Sequence, residues 1–128
     1  LKHWAVEDCG RVINPLLLDE QIRGAIVQGI GGALFEECLY DGSGLLRNGS
    51  MADYLVPMAS EMPDIEVAHV ETPTRTSELG AKGAGEAGTA GAPAAVMNAI
   101  NDALAPFDVR VTAQPFTPEK ILRALNKI

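Results

Sequence analysis

The stretch LLLDEQIRGAIVQGIGGALFEE, Leu16 to Glu37, decides how the rest of the chain is read. Leu18, Ile22, Ala25, Ile26, Ile30, Ala33 and Leu34 recur at three- and four-residue steps, so a helix over this span carries them on one stripe facing a core. Its glycines work against it. Gly24, Gly29, Gly31 and Gly32 each cost about 1 kcal/mol relative to alanine in a helix interior, roughly 4 kcal/mol together. The natural compensation is bare backbone, which lets another segment or a ligand come close.

Working outward, His3 to Cys9 alternates as a strand does, and Gly10 to Pro15 reads as the turn that closes it. After the helix, Leu39 to Asn48 carries Asp41-Gly42-Ser43-Gly44 between apolar flanks, the composition of a hairpin turn. Met51 to Pro63 is irregular, and Ile65 to Val70 alternates as a half-buried strand. Glu71 to Gly91 lacks bulky core formers and reads as a loop, followed by a helix over Ala92–Leu104 with Pro93 in its first turn. Val109 and Val111 read as a short strand, and Thr117-Pro118-Glu119 opens a short helix through Ile121, Leu122 and Leu125. This order predicts an α+β fold: a mixed β-sheet with two main helices packed on one face, plus a short C-terminal helix. No repeat or linker divides the chain, so residues 1–128 are expected to form a single domain.

Composition narrows the partners. Hydrophobic residues make up 47% and charged residues 21%, as in a folded globular protein. A net charge of −7 counts against nucleic acid and anionic membrane surfaces, which both attract cations. Cys9 and Cys38 are too far apart for zinc-ribbon, thioredoxin or iron–sulfur spacing and read as buried reduced thiols. His3 and His69 have no ligand pattern around them and are assigned no role, and no side-chain metal site is expected. With no apolar run of membrane-spanning length and no signal-like start, a cytoplasmic, reducing setting is the expectation. The first residues, Leu1-Lys2-His3-Trp4, enter a strand directly and without an initiating Met, which reads as part of something longer.

Composition departs most from ordinary fold-building at Gly80-Ala81-Lys82-Gly83-Ala84-Gly85-Glu86-Ala87-Gly88-Thr89-Ala90-Gly91. Gly83-x-Gly85-x-x-Gly88 formally satisfies the dinucleotide fingerprint, but that motif needs a strand immediately before it and an acidic residue about 20 positions later. The last strand-like residue is Val70, and no acidic residue stands where the ribose needs one, so the context fails. What remains is a single carboxylate, Glu86, flanked by residues too small to shield it and placed ahead of a helix whose free N–H groups favour anions. From the residues alone Glu86 is either a reactive carboxylate or a helix-start charge, and Lys82 either its ion-pair partner or a solvated lysine.

Gln28-Gly29-Ile30-Gly31-Gly32-Ala33-Leu34, followed about fifty residues later by Lys82-Gly83-Ala84-Gly85-Glu86, resembles the C-terminal part of the molybdenum-binding subunit of the xanthine dehydrogenase/aldehyde oxidase/carbon monoxide dehydrogenase family. Both motifs occur there in this order and at nearly this separation. The resemblance implies that Glu86 is the base acting on the molybdenum-bound hydroxyl, within about 3 Å of it. It also implies that Lys82, Gly83, Ala84 and Gly85 approach the cofactor and that Gln21 hydrogen-bonds it. Gln28 shares a helical stripe with Gln21 and either faces the cofactor or caps nearby backbone. The implied cofactor of the complete enzyme is a molybdenum–pyranopterin, as molybdopterin or its cytosine dinucleotide, with FAD and [2Fe-2S] clusters on partner domains or subunits. This fragment alone is expected to bind none of them and to be inactive. The implied partners are the remainder of the molybdenum subunit, iron–sulfur and flavin subunits, and a small-molecule substrate: an aldehyde, an N-heterocycle or carbon monoxide. The alternative is a non-catalytic structural or assembly module derived from that subunit.

Overall fold

Two parallel strands and two long helices organise the chain, and the computed structural model describes residues 2–128. Leu1, read with the first strand, lies outside the described residues. Strand β1 (Lys2–Asp8) pairs in parallel with β2 (Asp64–Val70), in register from Lys2 opposite Asp64 to Asp8 opposite Val70. Period-two alternation turns Ala5, Ile65 and Val67 inward and leaves Trp4, Val6 and Val70 exposed on the other face. The α+β expectation stands, with a sheet smaller than expected. Among the described residues, antiparallel pairing is confined to two isolated bridges, Gly10 with Ala81 and Tyr40 with Leu46.

Helix α1 (Pro15–Leu34) starts where Asn14 caps it, its side chain accepting from the Leu17 amide at 3.2 Å. Ile22, Ala25, Ile26, Ile30 and Ala33 are buried, as the spacing predicts, with Leu18 and Leu34 packed at the edge of the core. The helix ends before the expected Glu37. Phe116 N–H takes the Ala33 carbonyl at 2.7 Å, a tertiary bond that occupies the last turn and lets the chain peel away. The Asp41–Gly44 turn forms as expected, with Asp41 accepting from the Ser43 and Leu45 amides, but only one bridge follows it.

Helix α2 (Ala87–Leu104) begins five residues earlier than the predicted Ala92. Gly88, Thr89 and Gly91 are weak helix formers, and tertiary contact overrides that weakness. The Thr89 hydroxyl donates to the Ala25 carbonyl at 2.8 Å. A Cβ on Gly88 would stand 2.8 Å from Ile26 Cγ1 and 2.9 Å from the Ile22 carbonyl oxygen. Across the crossing, a Cβ on Gly29 would meet Ala92 Cβ at 2.8 Å. Part of the glycine cost in α1 is thus offset by close approach of α1 and α2, and both helices cover the inner sheet face.

No strand forms at Val109–Val111. Asn101 from α2 supplies the pairing instead: its side chain accepts from Val111 N–H and donates to Val111 C=O, both at 2.8 Å, satisfying the backbone without a neighbouring strand. Helix α3 (Pro118–Ala124) opens at Thr117 as predicted, with the Thr117 hydroxyl accepting from the Lys120 amide. No helix among the described residues is long and apolar enough to cross a membrane.

Candidate active site

The segment leading to Glu86 is fastened to the end of β1. Lys82 N–H donates to the Cys9 carbonyl at 2.9 Å and Arg11 N–H to the Gly80 carbonyl at 3.1 Å, around the Gly10–Ala81 bridge. Gly10 makes this possible: its φ is +67°, and any Cβ there would collide with the Gly80 carbonyl oxygen. Beside the bridge lies a cluster that sequence spacing could not reveal. Asp8 accepts from Lys82 Nζ at 2.8 Å, from the amides of Gly10 and Thr72 at 3.0 and 3.1 Å, and from the Thr72 hydroxyl. Lys82 Nζ also donates to Thr72 Oγ1 at 2.7 Å. The Lys82 ammonium, then the Thr72 hydroxyl and the two amides, hold the Asp8 carboxyl well below the usual carboxylate range. Lys82 therefore pairs with Asp8, not with Glu86.

Past Lys82 the chain is bare. A Cβ on Gly83 would meet nothing within 4 Å, and one on Gly85 only the Gln21 amide nitrogen at 3.7 Å. Gln21 Nε2 lies 3.5 Å from the Gly85 carbonyl oxygen, so the structure brings Gln21 of α1 against the loop. Glu86 is the N-cap residue of α2, which bears out the helix-start reading of its position. Its side chain makes no cap bond, however. The carboxylate is exposed and has no hydrogen-bond or ion-pair partner among the described residues. Only its backbone carbonyl is engaged, accepting from Ala90 N–H at 3.1 Å.

Gln28 lies about two helical turns beyond Gln21 on the same stripe of α1, and both side chains are exposed. Between them Gly24 faces open space. The pyranopterin implied by the resemblance fits this donor set: two amide side chains, backbone stripped of side chains at Gly83 and Gly85, a carboxylate with no partner among the described residues, and room above Gly24. Lys82 stands apart from this set because its ammonium already has two partners.

One further pairing escaped sequence reasoning. His69, assigned no role, meets Asp19 Oδ1 at 2.6 Å, across 50 residues of chain. Cys9 is buried as expected, whereas Cys38 is exposed just beyond α1.

Comparison with known proteins shows the family. Residues 1–63 match the molybdopterin cofactor-binding domain family. The chain is 49% identical over 127 residues to the large subunit of nicotine 6-hydroxylase from Paenarthrobacter nicotinovorans, covering 99% of this chain and 16% of that one. It superposes on quinoline 2-oxidoreductase from Pseudomonas putida 86 with a TM-score of 0.92 at 47% identity, covering 97% of this chain and 16% of that one. On carbon monoxide dehydrogenase from Oligotropha carboxidovorans the TM-score is 0.87 at 31% identity, covering 96% and 16%. The chain spans 16% of the length of each of these relatives. With a bare glycine loop ending in a free carboxylate, two amides on one helix stripe, and likeness over almost all of its length, the chain belongs to the molybdenum-binding subunit family of the xanthine dehydrogenases, aldehyde oxidoreductases and carbon monoxide dehydrogenases.

Proposed function

We propose that this chain supplies the base-bearing loop of a molybdenum hydroxylase, which oxidises an N-heterocycle, an aldehyde or carbon monoxide with oxygen taken from water. The observation that carries this reading is the Glu86 carboxylate, exposed and unpartnered at the end of a loop anchored on both sides. A molybdenum–pyranopterin, as molybdopterin or its cytosine dinucleotide, supplies the two-electron acceptor when bound. Gln21 and Gln28 would hold it through their amides, and the backbone of Gly83, Ala84 and Gly85 would lie against it with no side chain larger than the Ala84 methyl in between. Glu86 accepts the proton of the water-derived oxygen as that oxygen is transferred, which raises its nucleophilicity toward an electron-poor carbon. The absence of a cation on Glu86 leaves both carboxylate oxygens free for that proton.

The overall change is loss of two electrons and two protons as substrate and water become the hydroxylated or oxygenated product. Iron–sulfur and flavin subunits carrying [2Fe-2S] and FAD take the electrons onward, the remainder of the molybdenum subunit completes the substrate pocket, and the assembly works in the cytoplasm. The 128 residues alone have no turnover in this reading.

In the complete enzyme, Glu86→Gln keeps shape and removes the base. Turnover is expected to fall by a factor of 100 or more with molybdenum content unchanged. Turnover within a few-fold of the parent enzyme would instead mark a structural or assembly module.

A further inference from the structure

The bare loop has nothing of its own to hold its shape. Gly83 and Gly85 contribute no side chains, and glycine is the residue with the most backbone freedom. Apart from the long 3.5 Å contact of Gln21 Nε2 with the Gly85 carbonyl oxygen, its geometry is therefore set at its two ends. The far end is the first turn of α2, seated by Gly88 on Ile22 and Ile26 and by the Thr89 hydroxyl on Ala25. The near end is Lys82. Its backbone is bonded to Cys9, and its side chain is drawn into the Asp8 cluster, which joins three separate segments: the end of β1, the residues after β2, and the start of the loop.

We propose that Asp8 and Lys82 are positioning residues for Glu86: their ion pair, closed by the Thr72 hydroxyl, fixes where the segment Gly83–Gly85 departs and hence where the Glu86 carboxylate stands. The same pair does a second job. A lysine four residues before a carboxylate is a ready partner for it, and Asp8 takes that ammonium, so Glu86 keeps no counter-cation. Both charged side chains are about one-third exposed, at 35% and 36%, so the pair is screened and adds little to global stability. Its effect is local. Thr72 contributes both a backbone and a side-chain donor to Asp8, which ties the ion pair to the sheet rather than leaving it to float on the surface.

The inference rests on the reading of Glu86 as base, and the experiment separates the two. In the complete enzyme, Lys82→Met removes the ion pair while leaving the backbone bonds of Asp8, and Lys82→Arg restores a cation. Asp8→Asn is the complementary change. Hydrogen exchange is read at the Lys82 amide, bonded to Cys9, and at the Ala90 amide, bonded to Glu86. Both are expected to exchange about tenfold faster in Lys82→Met, with residues 22–30 of α1 unchanged and Lys82→Arg close to the parent.

Turnover is followed with quinoline, benzaldehyde and carbon monoxide as probes. On whichever is oxidised, Lys82→Met is expected to lower kcat about tenfold with KM within twofold, and to add nothing in a Glu86→Gln background. Unchanged exchange at Lys82 and Ala90 would overturn the proposal, as would a Lys82→Met loss that persists in full when Glu86 is already Gln. If Glu86→Gln alone leaves turnover intact, the base reading fails, while the exchange data still decide whether Asp8 and Lys82 fix the loop.

Discussion

Glu86 occupies a capping position without capping, and Gly88, two residues later, shows why the local chain is built this way. Side chains are missing from this segment for two different reasons. At Gly83 a Cβ would enter open space, so the bareness serves access. At Gly88 a Cβ would press on Ile26 and on the Ile22 carbonyl, so the bareness serves the helix crossing. The two kinds of glycine predict opposite outcomes. Gly88→Ala is expected to destabilise by about 1–3 kcal/mol, because a packed helix crossing does not absorb an extra methyl. Gly91→Ala, where nothing lies within 4 Å, is expected to stabilise by about 0.5–1 kcal/mol through helix propensity. Thermal unfolding of the two variants checks this, and equal shifts would refute the distinction. Glu86 was legible in the sequence because a lone carboxylate among small residues stands out along the chain. The partner of Lys82 was not: Asp8 is 74 residues away, and only the fold makes them neighbours.

At the level of elements, the buried faces, the end of α2 at Leu104 and the start of α3 at Thr117 follow the expectation, whereas the end of α1 and the start of α2 do not. The stripe from Ile22 to Ala33 names the buried face of α1 because burial follows the 3.6-residue repeat. The start of α2 could not be read the same way, since Thr89 is held in helix by the Ala25 carbonyl of another element and not by its own propensity. Val109–Val111 looked like a strand and found a side chain, Asn101, in place of a neighbour. The end of α1 has its own device. Tyr54 donates its hydroxyl to Glu36 Oε2 at 2.7 Å, and Pro57 packs on Gly31, so the irregular segment is clasped to the helix terminus.

Hydrogen bonding to the Glu36 carboxylate, with some desolvation, pushes the Tyr54 phenol up to about 12. A raised value means the clasp contributes fully below the ordinary phenol range near 10 and is lost as pH rises through about 12. A difference titration of tyrosinate absorbance between the parent chain and Tyr54→Phe is expected to show the missing phenol titrating near 12. A midpoint near 10 would show that the hydrogen bond does not persist in solution.

For the whole molecule, the informative quantity is area. The chain exposes 8699 Å², whereas a self-contained monomer of 13.5 kDa is expected to expose roughly 6,500 Å². The excess is apolar in its most prominent parts. Parallel sheets are ordinarily covered on both faces, yet the outer face here presents Trp4, Val6 and Val70. A groove between β1, α1 and α2, lined by Ile30, Leu34, Val96 and Ile100, opens beside it. The prediction at this scale is that the 128 residues alone bind a hydrophobic dye such as anilinonaphthalene sulfonate and associate at tens of micromolar concentration, and that the complete subunit does neither. A monodisperse, dye-silent fragment would contradict it. Composition gave no warning of this, because a hydrophobic share of 47% is ordinary and says nothing about how much of it the fold leaves outside.

Trp4 is the chain's one tryptophan, 66% exposed on that outer face. An indole so placed emits at long wavelength in water and shifts toward the blue once apolar neighbours displace the solvent around it. The polypeptide thus carries a built-in optical gauge: the colour of its own fluorescence registers, without any added label, whether that side of the sheet is wet or docked.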